Sequence, residues 1–253
     1  MIGFSLCIEP VLQHLDFYDR IAAAAYCGFS AIEFWNPANK NLEKIERLAS
    51  ANKISIEICA THDHRINNLN ADDCVKNIIY SMKVIRQLGC SKLLLMSGDR
   101  IGKNEAQRCL IIENLKKLAD SAEKKNMMLC LEPLNSFIDH KGYYLDSSDV
   151  AFEIVRCVGS SRIKVLYDIY HMQVMEGNII STIRRNSNWI GYFHAAGTPG
   201  RNEPSSGELN MGVILNAIEN TGYSGRIGLE YWPVVDSEAS ISLELKKLQK
   251  MVR

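Results

Sequence analysis

Along this chain, short runs in which nearly every position is aliphatic or β-branched alternate with longer stretches whose apolar residues recur every three or four positions. The short runs are 2–7 (IGFSLC), 31–35 (AIEFW), 54–60 (ISIEICA), 92–97 (KLLLMS), 128–134 (MLCLEPL), 164–169 (KVLYDI), 190–196 (IGYFHAA) and 226–232 (RIGLEYW). Such runs predict strands buried on both faces. The stretches between them, 17–28, 41–52, 74–89, 106–126, 148–159, 179–186, 212–222 and 243–253, carry helical spacing, weakest at 179–186. Gly28, Gly89 and Gly159 close three of them where a helix end favours glycine. Eight strand-then-helix units in one chain predict an α/β protein built as a (β/α)8 TIM barrel, with residues 1–253 as a single domain. A doubly wound open sheet is the rival, but no G-x-G-x-x-G follows the first strand.

Composition narrows the function classes. Lysine plus arginine and aspartate plus glutamate are equal at 29 each, so no global field attracts nucleic acid or an anionic membrane. The eight cysteines are scattered without a C-x-x-C pair, as expected of reduced core residues. There is no basic segment leading into an apolar one at Met1 and no run of membrane-spanning length. A cytoplasmic protein with a small-molecule substrate is the expectation, with no nucleic-acid or membrane partner and with homo-oligomerisation left open.

In a TIM barrel, side chains at the C-terminal strand ends ring one pocket, so charged residues there bear on chemistry. Run five carries Glu132, run six Asp168, run seven His194 and run eight Glu230. In the last run Ile227, Leu229 and Tyr231 would face one way and Gly228, Glu230 and Trp232 the other, which puts a carboxylate in mid-strand. Singly, each could cap a helix or pair with a lysine. Together, three carboxylates and an imidazole would repel and resist desolvation unless a cation neutralised them. Oxygen-rich ligands with one nitrogen suit Mn²⁺ or Mg²⁺, with Co²⁺ or Zn²⁺ as further options.

The blocks LEPLNSF (131–137), YDIYHMQVMEGN (167–178), HAAGTPGRNEPSSGELN (194–210) and GLEYWP (228–233) resemble, in order, those of hydroxypyruvate isomerases within the xylose isomerase-like TIM barrel superfamily. FYDRIAAAAYCGFSAIEFW (17–35) is similar to that family's first β/α unit. The resemblance implies a divalent metal held by Glu132, Asp168, His194 and Glu230, and isomerisation or epimerisation of a small hydroxy-carbonyl compound. His194, where hydroxypyruvate isomerases often have glutamine, is more like the ketose 3-epimerases. Gly197 and the segment THDHRINNLN (61–70) also depart from the hydroxypyruvate isomerase pattern, which leaves hydroxypyruvate, a 2-oxo-tetronate, a ketose and an inosose open as substrates.

Moving a carbonyl along a sugar-like chain requires removing a carbon-bound proton and holding an enediolate, which a chelated metal would stabilise. Glu132 and Glu230, at the two ends of the ligand arc, are the expected proton carriers. His171, on the loop after run six, is expected to donate to a substrate oxygen, or else to be satisfied by backbone at a helix start. Arg201, after run seven, is expected to bind a substrate carboxylate or hydroxyl, or else to face solvent. Trp35, His62 and His64 are candidates for the far wall of the pocket. Glu33 and Glu57 warn that a strand glutamate is not in itself a ligand. An inosose-type dehydratase shares the first proton abstraction, and an endonuclease IV-like nuclease would need a histidine-rich multi-zinc site, against six histidines in all.

Overall fold

The computed structural model describes residues 2–67 and 70–252, including their side chains except those of 62–64 and 71. The strands are β1 (Gly3–Cys7), β2 (Ala31–Phe34), β3 (Ser55–Arg65), β4 (Lys92–Met96), β5 (Met128–Glu132), β6 (Ile163–Asp168), β7 (Ile190–Ala195) and β8 (Arg226–Leu229). Between and after them run α1 (Asp19–Tyr26), α2 (Leu42–Ala51), α3 (Ala71–Gln87), α4 (Asn104–Lys124), α5 (Ser148–Val158), α6 (Ile169–Met175), α7 (Ile179–Asn186), α8 (Met211–Glu219) and α9 (Glu238–Met251). The strands pair in parallel in chain order and β8 closes on β1, giving the expected closed α/β barrel. Among the described residues no helix is long and apolar enough to cross a membrane.

Helix ends follow local chemistry. Asn41 caps α2 by accepting from Lys44 N at 2.9 Å, and Gly159 takes the left-handed conformation (φ 73°) that ends α5. Two boundaries differ from the sequence pattern. The run through Trp232 stops pairing at Leu229, so Glu230 stands just beyond the strand rather than within it. The segment after β6, expected to be a loop, is the short helix α6. Its first turn is fixed by Asp168, whose carboxylate accepts from Tyr170 N at 2.8 Å and His171 N at 3.3 Å.

Because strand side chains alternate, the barrel has two apolar layers. The outer one lies between strands and helices. The inner one is made by Ile58, Ala60, Leu94, Cys130, Leu166 and Tyr192, with Trp35, Met96 and Met128 packed against it. Near the N-terminal ends of β4 and β8, Glu57 is neutralised by Lys92 and by Arg226, whose Nε lies at 3.2 Å. All eight cysteines are free; Cys109 and Cys157 are exposed and the other six buried.

The β6–β7 register shifts between Val165 and Leu166, leaving Gly191 as the extra residue. A Cβ there would collide with Met128 Sδ and lie 2.7 Å from Lys164 Cβ, an atom that cannot move without its backbone. Gly191→Ala should therefore cost about 1–3 kcal/mol of stability through overpacking. Urea unfolding reads this directly, and an unchanged midpoint would contradict it.

Candidate active site

The expected residues stand at neighbouring strand ends, stepping upward from β5 to β8. Glu132 follows Leu131, which pairs with Val165, three residues before Asp168; Asp168 pairs with His194, and His194 with Gly228, two residues before Glu230. Each of Glu132, Asp168, His194 and Glu230 offers a ligand atom within 4.8 Å of the others, and all four are buried. His194 stands between the glutamates, its Nδ1 3.5 Å from Glu132 Oε1 and 3.4 Å from Glu230 Oε2. On its other side Nε2 lies 3.2 Å from Glu33 Oε1.

This density of charge sets the protonation. Burial pushes the Glu132 carboxyl up to about 7, against the pull of His194. Burial also raises Glu230, but Arg201 and His194 outweigh it and hold this carboxyl below the usual range. Asp168 is raised by burial, with Arg201 and His194 opposing. For His194, burial opposes the charge, yet Glu33 and Glu230 hold its pKa well above the ordinary histidine value.

Arg201 is buried rather than solvated. Its Nη2 bonds Glu230 and lies 3.4 Å from Asp168 Oδ2, and its guanidinium stacks 5.2 Å from the Tyr170 ring and 5.0 Å from that of Trp232. Its backbone adopts φ 54° while its carbonyl accepts from Trp232 N at 2.8 Å, tying the loop after β7 to the one after β8. His171 sits in the first turn of α6. Asn135 donates to its Nδ1 from the backbone N at 3.3 Å, and Asn135 Nδ2 lies 2.7 Å from the same nitrogen. Burial, then the Arg201 charge, keep the ring neutral, so Nε2 carries the proton; it lies 3.5 Å from Asp168 Oδ2 and, like Arg201 Nε, makes no hydrogen bond among the described residues.

Trp35 Nε1 donates to Glu230 Oε1 at 2.7 Å, so this wall residue also orients a carboxylate. The side chains of His62 and His64 lie outside the described residues. Glu203 accepts from Val234 N at 3.0 Å and Glu208 lies 3.5 Å from Gln173 Nε2, so each is engaged away from Arg201. A Cβ at Gly197 would collide with the carbonyls of Glu203 and Ser206, so the folded-back loop excludes a larger residue there.

Sequence reasoning missed Glu33. It is buried on β2, accepts from Tyr192 Oη at 2.8 Å, and faces His194, while Tyr192 also bonds Ser5. The room for this contact comes from Gly228, where any Cβ would strike both Glu33 and the His194 ring. Its signal was the alternation itself: Glu33 shares its strand face with Trp35.

A cavity of about 230 Å³ opens above the cluster, lined among others by Trp35, Arg65, Glu132, His171, Arg201 and Glu230. Among the described residues Glu132 Oε1 and His194 Nδ1 are buried without a hydrogen bond, although they face each other at 3.5 Å and Glu230 stands close by. Three carboxylates and one imidazole with atoms left over form a donor set that can hold a metal ion, its oxygen-rich make-up suiting a hard divalent cation.

Residues 21–251 match the family model described as xylose isomerase-like TIM barrel. The hydroxypyruvate isomerase of Escherichia coli strain K12 is 30% identical over 260 residues, covering 95% of this chain and 97% of that protein. The 2-oxo-tetronate isomerase of Cupriavidus necator is 30% identical over 252 residues, covering 95% and 96%. Among solved structures, a family 2 AP endonuclease from Brucella melitensis superposes with a TM-score of 0.91 at 25% identity, covering 96% of this chain and 98% of that one.

Glu132 and His194 both bind protons more tightly than usual, and a cation must displace those protons. Raising the pH removes the competing protons. Apparent Mn²⁺ affinity should therefore climb from roughly pH 6 to 8 in calorimetric titrations, with proton release on binding. An affinity independent of pH would contradict the assignment.

Proposed function

The chain belongs to the xylose isomerase-like TIM barrel family, and from that premise we propose that it is a divalent-metal-dependent isomerase of a small hydroxy-carbonyl acid such as hydroxypyruvate or a 2-oxo-tetronate. The observation that carries this reading is the pairing of Glu132 and Glu230. Two carboxylates, one ending β5 and one just past β8, face one buried histidine and border one cavity. The names of the relatives above support the substrate class. Among the described residues the donor set, with one imidazole among three carboxylates, does not match the histidine-rich site that a nuclease of the endonuclease IV type would need.

In this reading Glu132, Asp168, His194 and Glu230 hold Mn²⁺ or Mg²⁺. The bound cation would supply Lewis-acid stabilisation of the negative charge that develops on the substrate oxygens.

For hydroxypyruvate, a proton leaves carbon 3, one is added at carbon 2, and the hydroxyl proton passes from oxygen 3 to oxygen 2. Glu132 and Glu230 take up and return the carbon-bound proton. Trp35 and Arg201 fix the Glu230 carboxylate for that role. His171 Nε2 and Arg201 Nε, donors that make no hydrogen bond among the described residues, meet the substrate oxygens. The buried walls keep water from the enediolate.

Turnover of hydroxypyruvate in D₂O with Mn²⁺ should place solvent deuterium on the product carbon. Glu230→Gln should lower kcat by about 10²–10⁴-fold while substrate still binds. Product free of deuterium together with a fully active Glu230→Gln enzyme would remove the proton-carrier role.

A further inference from the structure

We propose that Arg65 binds the carboxylate of the substrate, so that this isomerase selects short 2-oxo acids over neutral ketoses. The inference rests on the isomerase reading above and names the group that chooses the substrate. Arg65 is the last residue of β3 and lines the same cavity as Glu132 and Glu230. The cavity wall has two arginines, and they differ in what they already hold. Arg201 is shared between Glu230 and Asp168 and is covered by two aromatic rings. An anion approaching it meets those carboxylates as well.

Arg65 is only partly buried, and its Nη1 rests on the thioether of Met96. Among the described residues no carboxylate pairs with it. A thioether is a weak acceptor that leaves the charge of the guanidinium uncompensated. That charge is felt in the cavity: His140, on the same wall, has its pKa lowered first by burial, then by Arg201, with Arg65 adding to the effect.

The cavity is therefore polarised. Acidic ligand groups crowd the Glu132 and Glu230 side, while an uncommitted guanidinium stands at the end of β3, with the apolar Leu94, Met96 and Leu134 also on the wall. A three- or four-carbon hydroxy acid has the matching polarity, a hydroxy-carbonyl group at one end and a carboxylate at the other. The planar fork of an arginine fits that carboxylate through two parallel hydrogen bonds. A neutral ketose has nothing to offer Arg65 beyond a hydroxyl.

The test uses the Mn²⁺-loaded full chain with hydroxypyruvate as substrate and dihydroxyacetone, which carries CH₂OH in place of the carboxylate, as neutral competitor. In Arg65→Met the KM for hydroxypyruvate should rise about 10- to 100-fold, with kcat changing far less. The inhibition constant of dihydroxyacetone should move little by comparison. Arg65→Lys, which keeps the charge without the fork, should recover part of the loss. An unchanged KM in Arg65→Met, or equal weakening of the acid and its neutral competitor, overturns the proposal while leaving the isomerase reading intact. If the wild-type enzyme turns over neither hydroxypyruvate nor a 2-oxo-tetronate, the reading beneath it fails, and this proposal with it, before any variant is made.

Discussion

Mutual repulsion among buried carboxylates is the constraint around which the barrel mouth is arranged. Glu33, Glu132, Asp168 and Glu230 are all less than one-twentieth exposed or nearly so, at 2%, 4%, 1% and 6%, and all meet around one imidazole or one guanidinium. Without opposite charge such a group would stay protonated or push its members out toward water. The chain answers with His194 at the centre, Arg201 folded in from the loop after β7, and neutral donors from Trp35, Tyr192 and the first turn of α6. Among the described residues Glu132 Oε1 and both ring nitrogens of His194 still lack a hydrogen bond, and the cluster's donor set could hold a cation.

The fold serves this site by setting height. The adjacent C-terminal ends of β5, β6, β7 and β8 bring four ligand atoms within 4.8 Å of one another, which no single element could do. Glycine at 228 opens the layer beneath, so that Glu33 can reach the far nitrogen of His194. A carboxylate on that nitrogen fixes the orientation of the ring and leaves Nδ1 turned toward Glu132 and Glu230. Asp168 serves twice, as the cap that starts α6 and as a member of the cluster, so the helix carrying His171 is positioned by the site it helps to line.

The barrel was legible because its signal is repeated eight times, and the convergence of Glu132, Asp168, His194 and Glu230 was legible because they recur at one place in the repeat. What escaped the sequence depended on height within the barrel or on loop path. Glu33 and Glu57 are the same residue type on neighbouring strands. One lies under the cavity bonded to Tyr192, the other is neutralised by Lys92 and Arg226 near the opposite strand ends. Strand tilt and the register shifts between β2, β3 and β4 decide which is which, and a single sequence carries no record of them. Likewise nothing in TPGRNEP says that the arginine turns inward, because that follows from a positive φ and a carbonyl held by Trp232. The helix α6 was hidden by its shortness, since seven residues are too few for a periodic signal and its cap is a residue that also reads as a strand end.

The cluster of buried acids could hold one divalent cation, and anomalous diffraction from crystals grown with Mn²⁺ decides whether it does. One Mn²⁺ peak per chain is expected, bonded to Glu132, Asp168, His194 and Glu230 at about 2.0–2.4 Å. A Mn²⁺-saturated crystal with no peak there, and with the four side chains turned away from one another, would contradict it.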